Sequence, residues 1–374
     1  MVLTLILGAL ALLSWTLTVW QWVVAWRFPL HQRATQPAWA PPATVLKPLK
    51  GVDEKTEECL RSWLDQQYGG EMEILFGVAS ATDPVCELVR LVISHKKNAR
   101  LVICPEELGA NAKVSTLIQL MREVRNDMII LSDADVWVPQ DFLAELVASI
   151  KEPNVGLVNC FYRMAPSTNL AMRWEAFVVN ADFWSQVLQS LSLKPMDFAL
   201  GAVMATTRAH LEKIGGFETL ADYLADDYEL GHQIARFGGI ALCPFVVECR
   251  NGPMTWAEVW AHQIRWARTI RVCQPVPYLL SQLQNGTLWP CLWAAWQGST
   301  FAFAVAAGLV GTRMAAASYC EQKLTRRWDF NSLWLAPLKD LLQIVIWALA
   351  FFGNRITWRG QRFLVRRGGR LVKC

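Results

Sequence analysis

Met128-Ile129-Ile130-Leu131-Ser132-Asp133-Ala134-Asp135 is the stretch that decides the fold. Four large apolar residues in a row describe a strand buried on both faces, and two carboxylates follow it almost at once. Further short apolar runs lie at 44–49, 73–78, 100–103, 155–160 and 202–206. Between them, 54–66, 84–96, 112–124 and 139–150 have the length and periodicity of helices. Strands alternating with helices predict an α/β domain over 43–271, built on a mainly parallel sheet with helices on both faces. Ligands of such sheets bind beyond the carboxyl ends of the strands. Asp133 and Asp135 fall there.

The flanks of this domain read differently. Residues 1–26 carry no charge and are long enough to cross a bilayer, which takes about 20 apolar residues. Arg27 and Arg33 follow directly, so the positive-inside rule places the N-terminus outside and the domain in the cytosol. Residues 27–42 read as a linker, with a proline-rich spacer at 36–42. After Arg271 no charge occurs before Arg313, a stretch longer than one span. Its first part suits the interface, and 288–311 reads as the spanning helix. A further candidate at 332–353 is interrupted by Lys339 and Asp340. The segment 272–353 is therefore expected to be interfacial and transmembrane, and the basic tail 354–374 cytosolic. The segment 313–329 is also basic, which conflicts with the outside location this topology assigns it.

Composition agrees with a multi-pass protein. The 374 residues are 53% hydrophobic and only 18% charged, against about 25% in soluble proteins, and the 19 tryptophans suit membrane interfaces. A net charge of +4 without a long basic tract argues against nucleic acid as a partner. The ten cysteines form no C-x-x-C pair and are expected to be reduced core thiols.

Several residues can carry chemistry. Asp133 and Asp135 can bind a divalent cation, Mg²⁺ or Mn²⁺, whose remaining ligands are phosphate oxygens and water, and Asp135 is the expected metal ligand. Asp226-Asp227 offers a base for a hydroxyl, with Asp226 expected to cap a helix over 227–237 and Asp227 to act. His262, Arg265 and Trp266 share one face of a helix over 255–271, where arginine presents a planar fork to phosphate oxygens. The same helix also reads as an interfacial one whose Arg and Trp snorkel at the membrane surface. Lys47, at the end of the first strand, and Lys113, after Asn111, are placed to approach a phosphate or nucleotide. Asp83 suits either a ribose contact or the cap of a helix starting at Pro84.

In this order, Lys47–Gly51, Asp83-Pro84, Gly109–Lys113, Asp133–Asp135, Val155–Leu157, Gly201, Gly215-Gly216, Asp226-Asp227-Tyr228 and Arg265-Trp266 resemble the ceramide glucosyltransferase family and its bacterial relatives, which include hopanoid-pathway glycosyltransferases. The resemblance runs from about Leu46 to Arg271. It implies a GT-A nucleotide-diphospho-sugar transferase domain between N-terminal and C-terminal transmembrane helices. It also implies inverting transfer from a UDP-sugar donor to the hydroxyl of a membrane lipid acceptor, at a bacterial inner membrane. By position, Asp83 matches an acidic residue at the nucleotide, Asp135 the metal carboxylate and Asp227 the base. His262 to Trp266 matches the family's (Gln/Arg)-x-x-Arg-Trp element, with histidine in place of its first residue. Ser80 stands where many relatives have an acidic residue. Two other readings are a processive polysaccharide synthase, which needs more helices after the catalytic domain, and a membrane-anchored binding protein without turnover.

Overall fold

The computed structural model describes residues 1–33, 39–150, 154–167, 169–358 and 361–373. The chain divides into two compact units. One comprises 30–165, 195–252 and 358–374; the other comprises 1–29, 166–194 and 253–357.

The first unit is the α/β domain. Its sheet contains β1 (Ala43–Leu49), β2 (Met72–Val78), β3 (Ala99–Ile103), β4 (Met128–Ser132), β5 (Val136–Trp137), β6 (Val155–Met164), β7 (Val203–Thr207) and β8 (Gly239–Cys249), in the order β3-β2-β1-β4-β7-β6-β8-β5. The first four neighbours are parallel, as the continuous apolar runs require. β7 is antiparallel to both β4 and β6, and β5 is antiparallel to β8. The sheet is thus parallel-rich, as expected, with β7 and β5 running against their neighbours. That reversal has a consequence: Ser132 pairs with Val203, so the turn preceding β7 lies beside the end of β4. The helices Thr56–Leu64, Val85–Ile93, Ala112–Met121 and Phe142–Ile150 occupy the expected connections. Leu46, Leu117, Ile129, Leu131, Met204 and Leu230 meet in the core beneath the strand ends. Seven of the nine described cysteines are buried.

The other unit is helical. Three helices in it are long and apolar enough to cross a membrane: Val2–Arg27, Thr300–Thr325 and Phe330–Ala350. The expected spanning helix at 288–311 is not continuous. It breaks at Gly298, which adopts a left-handed conformation (φ +65°) and ends the helix Leu288–Gln297, while the Ser299 side chain caps the next helix by accepting from Ala302 N–H. Arg313 then lies inside that helix and is buried, where the sequence suggested the start of a loop.

Neutralisation explains how it can be. Arg313 pairs with Asp182 (2.7 Å) and Asp340 (2.9 Å), and Lys339 pairs with the same two carboxylates (2.5 and 3.2 Å). Asp340 also accepts from Thr287 at 2.8 Å. Two cations and two anions close on one another, so Lys339 and Asp340, which interrupt the candidate at 332–353 in sequence, face inward with Arg313. Asp182 sits in a π-helical turn, Val178–Phe183, inside a helical run that begins at Leu170 and ends at Leu191. A second polar seam joins Gln21 of the first helix to Ser185 at 2.6 Å.

The spacer at 36–42 lies partly outside the described residues. The basic tail is not a loose extension: Gln361–Val365 and Leu371–Lys373 pair as antiparallel strands and belong to the α/β unit. Phe363, Val365 and Leu371 are buried, and the two-residue period of a strand puts Phe363 and Val365 on one inward face.

Candidate active site

The carboxyl end of β4 leads directly into Asp133, whose N–H donates to Ala202 O at 3.1 Å. Lys113 is nearly buried and bridges two motifs that are 93 positions apart in sequence. Its Nζ lies 2.7 Å from Asp133 Oδ1 and 3.1 Å from Asp226 Oδ2. Burial alone would lower this ammonium, but Asp133, then Asp226 and Asp227, outweigh it and hold it above the ordinary lysine range. Asn111 completes the junction. Its side-chain oxygen caps the helix Ala112–Met121, and its amide donates to Tyr223 O (2.8 Å) and Asp226 Oδ1 (3.3 Å).

Asp226 therefore does not cap the following helix, as expected from sequence. The helix runs Asp226–Ile234 with Ala225 at its N-cap and no side-chain cap, because Lys113 and Asn111 hold the Asp226 carboxylate. Its neighbour Asp227 packs over Gly201. A Cβ built on Gly201 would stand 2.5 Å from Asp227 Oδ2, so only glycine leaves room for this carboxylate. Burial, then the adjacent Asp226, pushes the Asp227 carboxyl up to about 6, partly opposed by Lys113. A carboxylate poised there can take a proton from a hydroxyl near neutral pH. Pro48, Lys113, Ser132, Asp133, Gly201 and Asp226 are among the residues lining a pocket at this point.

Lys47, expected to reach a phosphate, is fully buried below the loop. Its ammonium donates to Ser132 Oγ (3.0 Å) and to the carbonyl of Asp133. Burial draws it down to about 8, against the pull of Cys59, Asp135 and Asp133. It props up the acidic loop from underneath. Asp83 accepts from Gly51 N–H at 3.0 Å and from Val85 N–H at 3.0 Å, so it both caps its helix and fixes the turn after β1.

Asp135 is half-buried, and burial followed by repulsion from Asp133 raises its carboxyl, opposed by Lys47 and the Asn251 amide. Among the described residues no group of three or more His, Cys, Asp or Glu is arranged to hold a metal ion. Two neighbouring carboxylates, one already turned to Lys113, nevertheless fit a Mg²⁺- or Mn²⁺-type ion that draws its other ligands from phosphates and water. Tyr162, Asn251 and Gly201 are parts of this neighbourhood that sequence reasoning either missed or left without a role. The Tyr162 hydroxyl is raised well above its ordinary value by burial, then by Cys249 and the carboxylates of Asp227, Asp133 and Asp135. A tyrosine in mid-strand carries no sequence signal of that role.

The helical unit holds the remaining expected residues. His262, Arg265 and Trp266 lie on the helix Trp256–Cys273, capped by a Thr255–Glu258 capping box. Its buried positions Val259, Gln263 and Ala267 follow an i, i+4, i+8 spacing. His262 Nδ1 is 2.6 Å from Oε1 of the buried Glu175, which also accepts from Gln263 at 2.9 Å. The Trp266 ring lies 4.5 Å from the imidazole. Glu175 had not been singled out in the sequence, because it sits in an ordinary amphipathic helix.

A family model described as glycosyl transferase family 21 matches residues 4–371. Ceramide glucosyltransferase 3 of Caenorhabditis elegans is 23% identical over 222 residues, covering 57% of this chain and 46% of its own length. The chain thus spans about half of that relative. Ceramide glucosyltransferase of Pyricularia oryzae is 20% identical over 421 residues, covering 87% of this chain and 84% of its own. Among solved structures, the mannosyltransferase PcManGT from Pyrobaculum calidifontis, in complex with GDP-Man and Mn²⁺, superposes with a TM-score of 0.58 at 21% identity over 94% of this chain and 99% of that one. That likeness shows the glycosyltransferase fold.

Proposed function

The chain belongs to glycosyl transferase family 21, and on that premise we propose that it moves a sugar from a UDP-sugar onto the hydroxyl of a membrane lipid, with inversion at the anomeric carbon. The observation that carries this reading is the Lys113 bridge between Asp133 and Asp226, which puts the Asp227 carboxylate in the same neighbourhood as the Asp133–Asp135 loop.

Asp227 takes the proton of the acceptor hydroxyl as its oxygen attacks the anomeric carbon; the bond to the diphosphate breaks on the opposite side. Asp226 and Lys113 keep Asp227 in place and set its basicity. Asp135, supported by Asn251, would hold a divalent cation, which when bound would neutralise charge on the departing diphosphate. Lys47 positions the acidic loop, and Asp83 the turn after β1, toward the nucleotide. On the helix Trp256–Cys273, the match to the family's Arg-Trp element supports a role for Arg265 in binding donor phosphate oxygens, with Trp266 beside it and His262 oriented by Glu175. The three long apolar helices support an integral membrane location, and the basic residues after the first helix support a cytosolic α/β unit.

Incubating the protein in lipid nanodiscs with labelled UDP-sugars and a panel of ceramide, hopanoid and diacylglycerol acceptors tests the reading. A lipid carrying one added sugar, with stoichiometric UDP, is expected. UDP release that ignores the lipid, or a polymer among the products, would overturn it.

A further inference from the structure

We propose that the C-terminal segment 366–373 is a positioning strap that holds the Asp226-Asp227 pair in its working place. The proposal rests on the assignment of Asp227 as base.

The helix Asp226–Ile234 begins without a side-chain cap, so its N-cap residue Ala225 does not fix the start of the acidic pair. The fixing comes from outside the helix, on two sides of the preceding residues. Asn111 and Ala110 hold one side: Asn111 N–H donates to Ala221 O at 2.8 Å and Ala110 N–H to Asp222 Oδ1 at 2.9 Å. The C-terminal segment holds the other. Leu224 N–H donates to Gly369 O at 2.9 Å, and Leu371 N–H donates to Asp222 O at 2.7 Å, so Tyr223 and Arg370 face each other as one rung of antiparallel sheet. The Arg370 guanidinium lies 5.5 Å from the centre of the Tyr223 ring, and Lys373 pairs with Glu107 at 2.7 Å.

The turn that delivers this rung is not neutral chain. Gly368 and Gly369 both have left-handed backbones, φ +79° and +82°, a succession that side-chain-bearing residues adopt at a cost. Its inward residues Val365 and Leu371 are buried, so the strap is seated on the unit and not laid across its surface. Leu224 is two residues from Asp226. A shift of this loop by a fraction of an ångström moves the base relative to Gly201 and the acceptor, which suits an effect on turnover and not on donor affinity.

Three variants of the full chain test the strap, with the Asp227→Asn protein alongside. Leu371→Pro removes the N–H that meets Asp222. A chain ending at Val365 removes the strap. Arg370→Ala/Lys373→Ala changes only exposed side chains and keeps a folded protein available for measurement. We expect kcat to fall at least tenfold in the first two and about threefold in the third, with the donor KM within twofold, and the acid limb of the pH–rate profile to shift. A purely structural contribution would lower active-enzyme content without moving that limb or splitting kcat from KM. Unchanged kcat and acid limb in the double variant and in Leu371→Pro, beside an inactive Asp227→Asn, would overturn the strap alone. Full activity in Asp227→Asn would overturn the base assignment and the strap with it.

Discussion

Asp227→Asn should abolish sugar transfer and at the same time make the α/β unit more stable. Asp227 titrates near 6 in the folded protein against an ordinary value of 3.8, a rise of about two pH units. At about 1.4 kcal/mol per unit, an enclosed carboxylate would cost the folded state roughly 3 kcal/mol when ionised. The residue is half-buried, and solvent screening reduces this to about 1–2 kcal/mol. The sign follows from proton binding. The folded state binds this proton more tightly than the unfolded state, so the penalty is full above pH 6. It fades as pH falls and is gone below about 4. Asparagine carries no charge at any of these values and keeps the carboxamide in the space over Gly201. Thermal unfolding in nanodiscs at pH 7.5 should therefore show the variant melting about 2–8 °C above the parent, at roughly 2–4 °C per kcal/mol for a unit of this size. At pH 4 the two should coincide. A variant that melts lower at pH 7.5, or that keeps its advantage unchanged at pH 4, would refute the account of Asp227 as a strained base. Surviving transfer activity would refute its catalytic role.

Further consequences can be measured in the same system. Lys113→Gln leaves Asp133 and Asp226 facing each other without their cation, which should cost about 3–5 kcal/mol of stability and raise the acid limb of kcat/KM above its parent position near pH 6; adding Asp226→Asn should recover part of the loss in a double-mutant cycle. Asp135→Ala should lose at least a hundredfold in activity, and calorimetry of UDP binding should no longer respond to added Mn²⁺; an Mn²⁺ response of parental size would exclude Asp135 as the ligand. Gly201→Ala should reduce kcat at least tenfold with little change in donor KM, because the added methyl meets Asp227 Oδ2 at 2.5 Å. In the helical unit, Asp182→Asn strands Arg313 and Lys339 beside a single carboxylate and should cost about 3–5 kcal/mol, read as lost protein after detergent challenge; normal yield would show the four-charge cluster to be dispensable.

Local pattern sufficed for much of this protein. Continuous apolar runs such as Met128 to Leu131 announce buried parallel strands because both faces of the strand must be covered, and the flanking helices follow from their own periodicity. The uncharged first 26 residues announce a membrane helix by length alone, and the ordered series of short motifs pointed to the family that the comparison then identified. Charge was where local reading failed. Lys339 and Asp340 look like interruptions and Arg313 like the end of a span, because hydropathy scores each residue without its partner, and Asp182, which neutralises two of them, lies more than a hundred residues away. The basic tail reads only as a charge pattern for the same reason, since Gly369 and Leu371 find Leu224 and Asp222 only after folding. Within the site, sequence singled out Asp133, Asp135 and Asp227 as chemistry-bearing side chains. That Lys113 ties Asp133 to Asp226, that Lys47 faces inward under β4, and that Gly201 makes room for Asp227 were decided by long-range pairings, the parallel seating of β1 on β4 and the antiparallel insertion of β7 beside it, that no window of sequence contains.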